Sequence, residues 1–209
     1  MKTLIAIPIG DKPETCFFSS MLNLQVEGQV EFCIIEQTLV YNARNLAGQR
    51  AAEGGFDRIL FFDADMNFKP DIMKRLSAHL DNGIEMITGV YPQRKPPIRP
   101  TIFKEIKYEP VEGQDGAVIP IAEFYTDYPK DSLFEIAGAG MGGCMMTVDL
   151  VKRVQERYGV PFSPMIGFGE DLSFCKRATD LGAHIWCDSS IKLEHCGKYL
   201  YSDKDYGVL

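Results

Sequence analysis

The sequence lacks the features that would place it in a specialised class of protein. No apolar run approaches the roughly 18 residues that a membrane-spanning helix requires, and there is neither an internal repeat nor a low-complexity tract. The six cysteines contain no CxxC pair, so reduced structural cysteines are favoured over a zinc site or a disulfide framework. Acidic residues outnumber basic ones, which gives a formal net charge of −7. This charge argues against a broad surface that binds polyanions.

The first residues do not resemble a secretory signal. The opening MKTLIAIPIGDKPE has one lysine and a short apolar run that Pro8 and Gly10 interrupt. A signal peptide needs a longer apolar core and a small-residue cleavage site. We therefore interpret this stretch as a first buried strand, and we expect a cytoplasmic protein with no membrane span.

Apolar runs alternate regularly with amphipathic segments. This alternation predicts an α/β fold in which a mostly parallel central sheet is flanked by helices, with residues 1–209 as a single domain. Residues 92–130 are proline-rich and indicate a loop or a small hairpin insertion, whereas residues 197–209 form either a lid or a frayed tail. Strands are expected at residues 3–8, 30–36, 58–62 and 85–91 and in CMMTV, HIWCDS and IKLEH, with helices in YNARNLAGQRAAEGG, KPDIMKRLSAHLDNG, DLVKRVQERYG and EDLSFCKRATDLG.

A glycine-rich stretch, GAGMGG at residues 138–143, matches the letters of a dinucleotide-binding fingerprint but not its context. The fingerprint needs glycines that open a helix, so that the helix N-terminus faces the pyrophosphate. Here the glycines lead into the apolar strand CMMTV, and the required acidic residue about 20 positions further on is missing. We therefore reject a dinucleotide site. Gly142 and Gly143 remain candidates for close backbone approach to a bound ligand.

Two aspartates follow directly on a buried strand in RILFFDADMNF, residues 58–68. In open α/β sheets ligands bind outside the carboxyl ends of the strands, which is where Asp63 and Asp65 are expected. If the strand continues, their side chains point the same way and repel, and a hard cation, Mg²⁺ or Mn²⁺, would hold both ionised. The alternative is a pair of solvated loop aspartates that cap the next helix.

Three further residues are candidates for the same site. Glu170 and Asp171 begin an amphipathic helix after a loop with a glycine on either side of Phe168. Acidic residues are also favoured in the first turn of any helix, so a purely structural role stays open. His195 stands at the end of an apolar strand, a position that suits either a metal ligand or a structural histidine.

The series IAIPIG, YNARNLAGQRA, ILFFDADM, GAGMGGCMMTVDLVKRV, FGEDLSFCKRA and LEHCG resembles a GT-A glycosyltransferase. It is most similar to the small family-2-like enzymes of bacteria and their phages. The resemblance extends from Thr3 to about Gly197, and the order and spacing of the motifs carry it rather than any one of them.

For the reaction, the resemblance implies a divalent metal and a base. Asp65 would be the direct ligand of Mn²⁺ or Mg²⁺, with Asp63 on the metal or the ribose, and His195 would complete the metal site. Asp171 would be the catalytic base of an inverting enzyme, and Glu170 would orient the acceptor. A metal beside the diphosphate would stabilise the charge that develops on the leaving group.

For the donor, the resemblance implies a nucleotide sugar, with a UDP-sugar as the first expectation. Pro8 would line the nucleoside pocket, and Arg44 and Asn45 match a helix start that reaches toward the donor. The sequence departs from the family after its second strand, where CIIEQT replaces the aspartate that binds uracil. Glu36 is the only nearby substitute, so the base stays open.

Other functions and the acceptor also stay open. Nucleotidyl transfer to a sugar phosphate would need a glycine-rich, lysine-bearing loop after the first strand, where only Gly10 and Lys12 are present. A glycoside hydrolase and a non-catalytic nucleotide-sugar-binding module are further alternatives. The acceptor could be a glycan, a protein or a modified nucleic-acid base, and the basic loop YPQRKPPIRP could contact phosphate or be merely solvated.

Overall fold

The computed structural model describes residues 1–197 and 200–207. In chain order the strands are β1 (Lys2–Ile9), β2 (Gln29–Glu36), β3 (Arg58–Phe62), β4 (Met66–Asn67), β5 (Met86–Val90), β6 (Ile102–Pro110), β7 (Val118–Phe124), β8 (Leu133–Ile136), β9 (Gly138–Ala139), β10 (Gly143–Thr147), β11 (Ile185–Lys192), β12 (Glu194–Cys196) and β13 (Leu200–Tyr201). The α-helices are α1 (Thr15–Leu22), α2 (Val40–Glu53), α3 (Ile72–Asp81), α4 (Val148–Tyr158) and α5 (Glu170–Asp180), and a 3₁₀ helix covers Asp203–Asp205.

The central sheet has seven strands in the order β2-β1-β3-β10-β5-β11-β8. β1 pairs in parallel with β2 and β3, and β11 pairs in parallel with β5. β10 is antiparallel to both β3 and β5, and β8 is antiparallel to β11. Five of the seven strands therefore run in one direction, which confirms a mostly parallel sheet and makes it a mixed one.

Helices cover both faces of this sheet because successive side chains of a strand point to opposite faces. In β1, Leu4 packs into a core with buried residues of α2, α4 and α5, whereas Ile5 packs into a second core with α1 and α3. The central strands β3 and β5 are buried at every residue. Their largely apolar sequences reflect burial on both faces.

The stretch after the glycines folds as the sequence predicts. β10 is a buried strand, and α4 begins directly after it, where the Thr147 hydroxyl accepts a hydrogen bond from the Leu150 backbone N–H at 3.2 Å. The helix ends at Gly159, whose φ of +81° lies in the region that glycine adopts without steric cost. No helix opens on the glycines themselves, which is consistent with rejecting a dinucleotide site.

Residues 92–130 contain an antiparallel hairpin, β6–β7, which is one of the two forms that the sequence left open for this stretch. Three other features differ from the sequence expectations. β11 spans Ile185–Lys192 and so joins most of HIWCDS to the start of IKLEH, which were expected as two separate strands. The short helix α1 has no counterpart among the expected elements. Cys16 and Cys196 form a disulfide, so the expectation of reduced cysteines is wrong for this pair. Within residues 1–197 and 200–207, no helix is long and apolar enough to cross a membrane.

Candidate active site

A cleft of about 580 Å³ opens at the carboxyl ends of β1, β2 and β3. This is the edge of an open α/β sheet where ligands characteristically bind. Seven of the residues singled out in the sequence line it: Pro8, Arg44, Asp63, Asp65, Glu170, Asp171 and His195. Tertiary folding thus brings together side chains from the start, the middle and the end of the chain.

Asp63 and Asp65 face different partners because the chain turns between them. β3 ends at Phe62, and residues 63–65 form a turn into β4 rather than a continued strand. The premise that both side chains point the same way is therefore wrong. The Asp63 carboxylate contacts a buried arginine, whereas the Asp65 carboxylate contacts the strand that carries His195.

Arg44 is the centre of a buried ion network at one side of the cleft. Its guanidinium donates to Asp63 at 2.8 Å and to Glu170 at 3.2 Å, and it lies over the Phe61 ring. The Arg44 side chain is only 3% exposed. Burial alone would lower the pKa of Arg44, but Asp63 and Glu170 outweigh it and raise that pKa. Arg44 therefore stays charged and balances the carboxylates around it.

Asp65 and His195 form a second polar group. The His195 Nε2 lies 3.3 Å from the Asp65 Oδ2, which also accepts from Arg94 at 2.9 Å. Burial would raise the pKa of Asp65, but His195 and Arg94 outweigh it and lower that pKa, so the carboxylate is ionised at neutral pH. The His195 Nδ1 is 2.9 Å from the Pro92 carbonyl, which can only accept. Nδ1 therefore carries a hydrogen, and Nε2 is the nitrogen directed at Asp65.

The residues around Asp65 fit a divalent cation in part. The Asp65 Oδ1 is buried and has no hydrogen-bond partner among the described residues, a state that normally requires an explanation such as an ion. A histidine held through its other ring nitrogen is the usual arrangement of a metal ligand. However, no group of three or more His, Cys, Asp and Glu side chains is arranged to hold a metal in residues 1–197 and 200–207. The structure thus supplies two adjacent candidate ligands, Asp65 and His195, and pairs Asp63 with Arg44.

Asp171 has a pKa above the ordinary carboxyl value because of its surroundings. Burial and the adjacent Glu170 raise its pKa to about 6, although the Leu172 N–H and Arg44 act in the opposite direction. The Asp171 Oδ1 accepts that N–H at 2.7 Å, which fixes the carboxyl at the first turn of α5. A carboxyl group with a pKa near the working pH can both accept and release a proton efficiently.

Three sequence candidates lie away from the cleft wall. The Asn45 side-chain oxygen accepts the Phe162 N–H at 2.9 Å and so joins α2 to the loop before α5. A Cβ on Gly142 would lie 3.0 Å from the Tyr91 ring, and one on Gly143 would lie 2.5 Å from Leu193. The missing side chains at these two glycines therefore make room for Tyr91 and Leu193.

Other cleft residues were not identified from the sequence. Tyr91 follows β5 directly, and its buried hydroxyl accepts the Gly142 N–H at 2.9 Å, so its position at the carboxyl end of a strand was the available signal. Ile35 and Thr38 also line the cleft, whereas Glu36 does not. Nothing in the described structure thus supports Glu36 as a substitute for the uracil-binding aspartate.

The carboxyl-terminal segment packs against the basic loop as far as it is described. The Gly207 N–H donates to the Ile98 carbonyl at 3.0 Å, and Ser202 forms a capping box with Asp205. Lys198 and Tyr199, part of the segment proposed as a lid or tail, lie outside the described residues.

Fold and cleft together define an α/β protein with a mixed seven-stranded sheet and a polar cleft at the strand ends. Among solved structures, the chain is similar to the crystal structure of A197 from STIV, with a TM-score of 0.71 and 17% identity over 98% of this chain and 92% of that chain. This likeness establishes the α/β fold and no more. No family model and no curated protein sequence matches the chain.

Proposed function

We propose that this chain is a metal-dependent glycosyltransferase of the GT-A type, which moves a sugar from a nucleotide-sugar donor to an acceptor hydroxyl. The observation that carries the proposal is the pairing of two chemistries in one cleft. Asp65 and His195 offer ligands for a cation, and Asp171 offers a base with a raised pKa. Glycosyl transfer from a nucleotide sugar needs both, because a diphosphate must leave while a hydroxyl loses its proton.

In this proposal Asp65 and His195 hold Mn²⁺ or Mg²⁺, and Asp63 remains a candidate for the metal or the donor ribose. The unpartnered Asp65 Oδ1 and the orientation of His195 support the assignment. When bound, the cation would stabilise negative charge on the departing diphosphate. Arg94 already contacts Asp65 and lines the cleft, so its guanidinium is available to bind phosphate oxygens.

Asp171 acts as the base in a direct displacement. The acceptor hydroxyl gives its proton to the Asp171 carboxylate while its oxygen bonds to the anomeric carbon, and the bond from that carbon to the phosphate oxygen breaks. This single step inverts the anomeric configuration. Glu170 orients the acceptor, and Arg44 keeps Glu170 and Asp63 in place through its two ion pairs.

A thermal-shift panel tests the proposal. UDP, GDP, CDP, TDP and ADP are each added with and without Mn²⁺ to wild type, Asp65→Ala and His195→Ala. A ligand at about 100 times its Kd should stabilise the fold by about 2.7 kcal/mol, which corresponds to roughly 5–10 °C in Tm for a chain of this size. We expect one diphosphate to produce this shift only with metal, and both substitutions to abolish it.

Glu36→Ala is the control, because Glu36 is exposed and lies outside the cleft. It should respond as wild type does. If no diphosphate shifts the wild type, or if Asp65→Ala still responds, the proposed donor site is wrong. Nucleoside triphosphates in the same panel test nucleotidyl transfer, which is the alternative that Gly10 and Lys12 at the cleft keep open.

The rate should depend on pH through Asp171. Its pKa of about 6 means that the basic form is lost as the pH falls through that value. At saturating metal, kcat/KM for donor turnover at pH 5 should be about one tenth of its plateau above pH 7, because about a tenth of the carboxyl groups are then ionised. Metal binding is measured at each pH by the same thermal shift. A flat profile between pH 5 and 7 would exclude Asp171 as the titrating base.

A further inference from the structure

The disulfide joins two segments of the chain that each place a nearby residue, Glu14 or His195, in the lining of the cleft. Cys16 lies in the first turn of α1, and Cys196 is the last residue of β12, directly after His195. The two cysteines are 180 residues apart in the sequence. The bond therefore connects an amino-terminal segment to the strand that presents a candidate metal ligand.

The Cys196 backbone forms hydrogen bonds with two charged residues of the cleft, Asp65 and Arg94. Its N–H donates to the Asp65 carbonyl at 2.8 Å, and its carbonyl accepts from the Arg94 guanidinium at 3.1 Å. A displacement of Cys196 would therefore disturb its hydrogen bonds with Asp65 and Arg94, and would also move the adjacent His195. In the described chain, β12 pairs with the two-residue strands β4 and β13.

The segment that carries Cys16 contacts the turn of residues 63–65. Glu14 lines the cleft, and its backbone N–H donates to the Ala64 carbonyl at 2.8 Å. Residues 11–15 are otherwise exposed, and α1 is held mainly by the buried Phe17 and Ser20. The disulfide thus fixes, from both sides, the turn that carries Asp63 and Asp65.

The remaining cysteines are poorly suited to compete for thiol exchange. Cys33, Cys144, Cys175 and Cys187 are all buried. Burial raises the pKa of each of these thiols, so they stay protonated, whereas the thiolate is the reactive form. Cys16 is only partly buried, unlike these four cysteines, and is therefore the side of the disulfide nearer to solvent.

We propose that the Cys16–Cys196 bond is a reversible redox control on the cleft: the oxidised chain binds metal and nucleotide tightly, and the reduced chain binds them weakly. This inference rests on the proposed function. Oxidation proceeds by exchange with a low-molecular-weight disulfide: one protein thiolate attacks it and releases one thiol, and the second protein thiol displaces the other. Two electrons pass from the cysteine pair to that disulfide, and two small thiols are produced.

The direction follows from preorganisation. In the oxidised chain, the disulfide holds the Cys196 backbone in contact with Asp65 and Arg94 before any ligand binds. The entropy cost of ordering the cleft on binding is therefore smaller. A coupling between sites is commonly worth about 5- to 150-fold in affinity, and we expect about tenfold here. Linkage requires the reciprocal effect: bound metal and nucleotide must favour the disulfide by the same factor.

Thiol counting tests the bond itself. After oxidation with glutathione disulfide and denaturation, a maleimide reagent should label four cysteines, and after reduction it should label all six of the chain. In the native reduced protein Cys16 should react first, and Cys196 and the four other buried cysteines should react slowly. Labelling of six cysteines after oxidation would overturn the inference, whatever the protein binds.

Calorimetric binding tests the control. The diphosphate found in the thermal-shift panel is titrated with Mn²⁺ into the oxidised wild type and into a Cys16→Ser/Cys196→Ser variant, which needs no reductant that could chelate the metal. We expect about tenfold weaker binding by the variant. Cys33→Ala, which leaves the pair intact, should bind as wild type does and still form the disulfide.

The possible failures are distinguishable. Equal affinity in the two forms would overturn the redox control and leave the proposed glycosyltransferase standing. Absence of binding to either form, with the disulfide present, would overturn the proposed function and the control together. A glutathione titration with and without Mn²⁺ and nucleotide gives a second readout, because the inference requires the midpoint to move toward the disulfide when ligand is bound.

Discussion

Asp171→Asn is expected to lower the rate of donor turnover by about 10²- to 10⁴-fold, the usual contribution of a positioned general base. Asparagine keeps the size of the side chain and can still accept the Leu172 N–H at the start of α5, but it cannot take a proton from the acceptor. The rate is measured as release of the nucleoside diphosphate from its sugar at saturating metal. Binding of metal and diphosphate should change little.

The same substitution should not destabilise the protein at pH 7. The pKa of Asp171 is raised from 3.8 to about 6, so the folded state binds this proton more tightly than the unfolded chain. Its contribution to stability is fully present below pH 3.8 and is lost as the pH rises through 6. Because asparagine stays neutral, we expect an unchanged or higher Tm at pH 7.

Asp180→Asn provides the control on the same helix. Asp180 is exposed at the far end of α5 and pairs with Lys176. It should leave both rate and Tm near wild type, because isolated exposed ion pairs contribute only about 0–1 kcal/mol. If Asp171→Asn retains the rate within a few-fold, the base must be sought elsewhere in the cleft.

Arg44→Met is expected to lower the free energy of unfolding by about 3–5 kcal/mol at pH 7, the cost of removing one partner from a buried ion pair. Asp63 and Glu170 would lose their counter-charge, and Asp171 would lose a nearby positive charge. Methionine preserves the apolar contact with Phe61, so the loss would report charge rather than packing. Urea denaturation at pH 7 measures it.

The deficit should shrink as the pH falls from 7 to 5. The unpaired carboxyl groups can then take up protons and become neutral, which removes part of the cost. Arg50→Met, on the same helix, is the control because its side chain is 55% exposed and its nearest carboxylate oxygen, on Glu31, is 3.8 Å away. We expect it to change stability by less than about 0.5 kcal/mol. A loss of similar size in the two variants would show that the Arg44 network is not a stabilising one.

Local pattern was enough to predict most of the central sheet and its larger helices. β3 and β5 are apolar at nearly every position because both faces are buried, and α3 shows the spacing of one apolar face, with Met73, Leu76 and Leu80 inside. The helix α1 was missed because only Phe17 and Ser20 are buried in it. One fully buried apolar residue over eight is too weak a pattern to show a period.

The candidate site could be predicted only where residues stand at the ends of elements. Asp63 and Asp65 follow β3, and Glu170 and Asp171 begin α5. His195 ends the strand expected in IKLEH and lies in the middle of the three-residue strand β12. Position along the chain thus already placed these residues near one sheet edge. Asn45 was misplaced because its neighbour Arg44 points to the cleft while Asn45, one residue further around the helix, contacts Phe162. Neighbouring helical residues do not share a face.

The sequence by itself determined the α/β class, the position of the strand ends and the acidic residues that stand there, because periodicity and chain order are local properties. The tertiary structure decided how those charges are partnered. Arg44 and Glu170 are 126 residues apart, and Cys16 and Cys196 are 180 apart. No local signal links such positions, since their contact depends on how the sheet closes and on the turn after β3. That turn directs Asp63 to an arginine and Asp65 to a histidine, and so separates two aspartates that the sequence alone would place together.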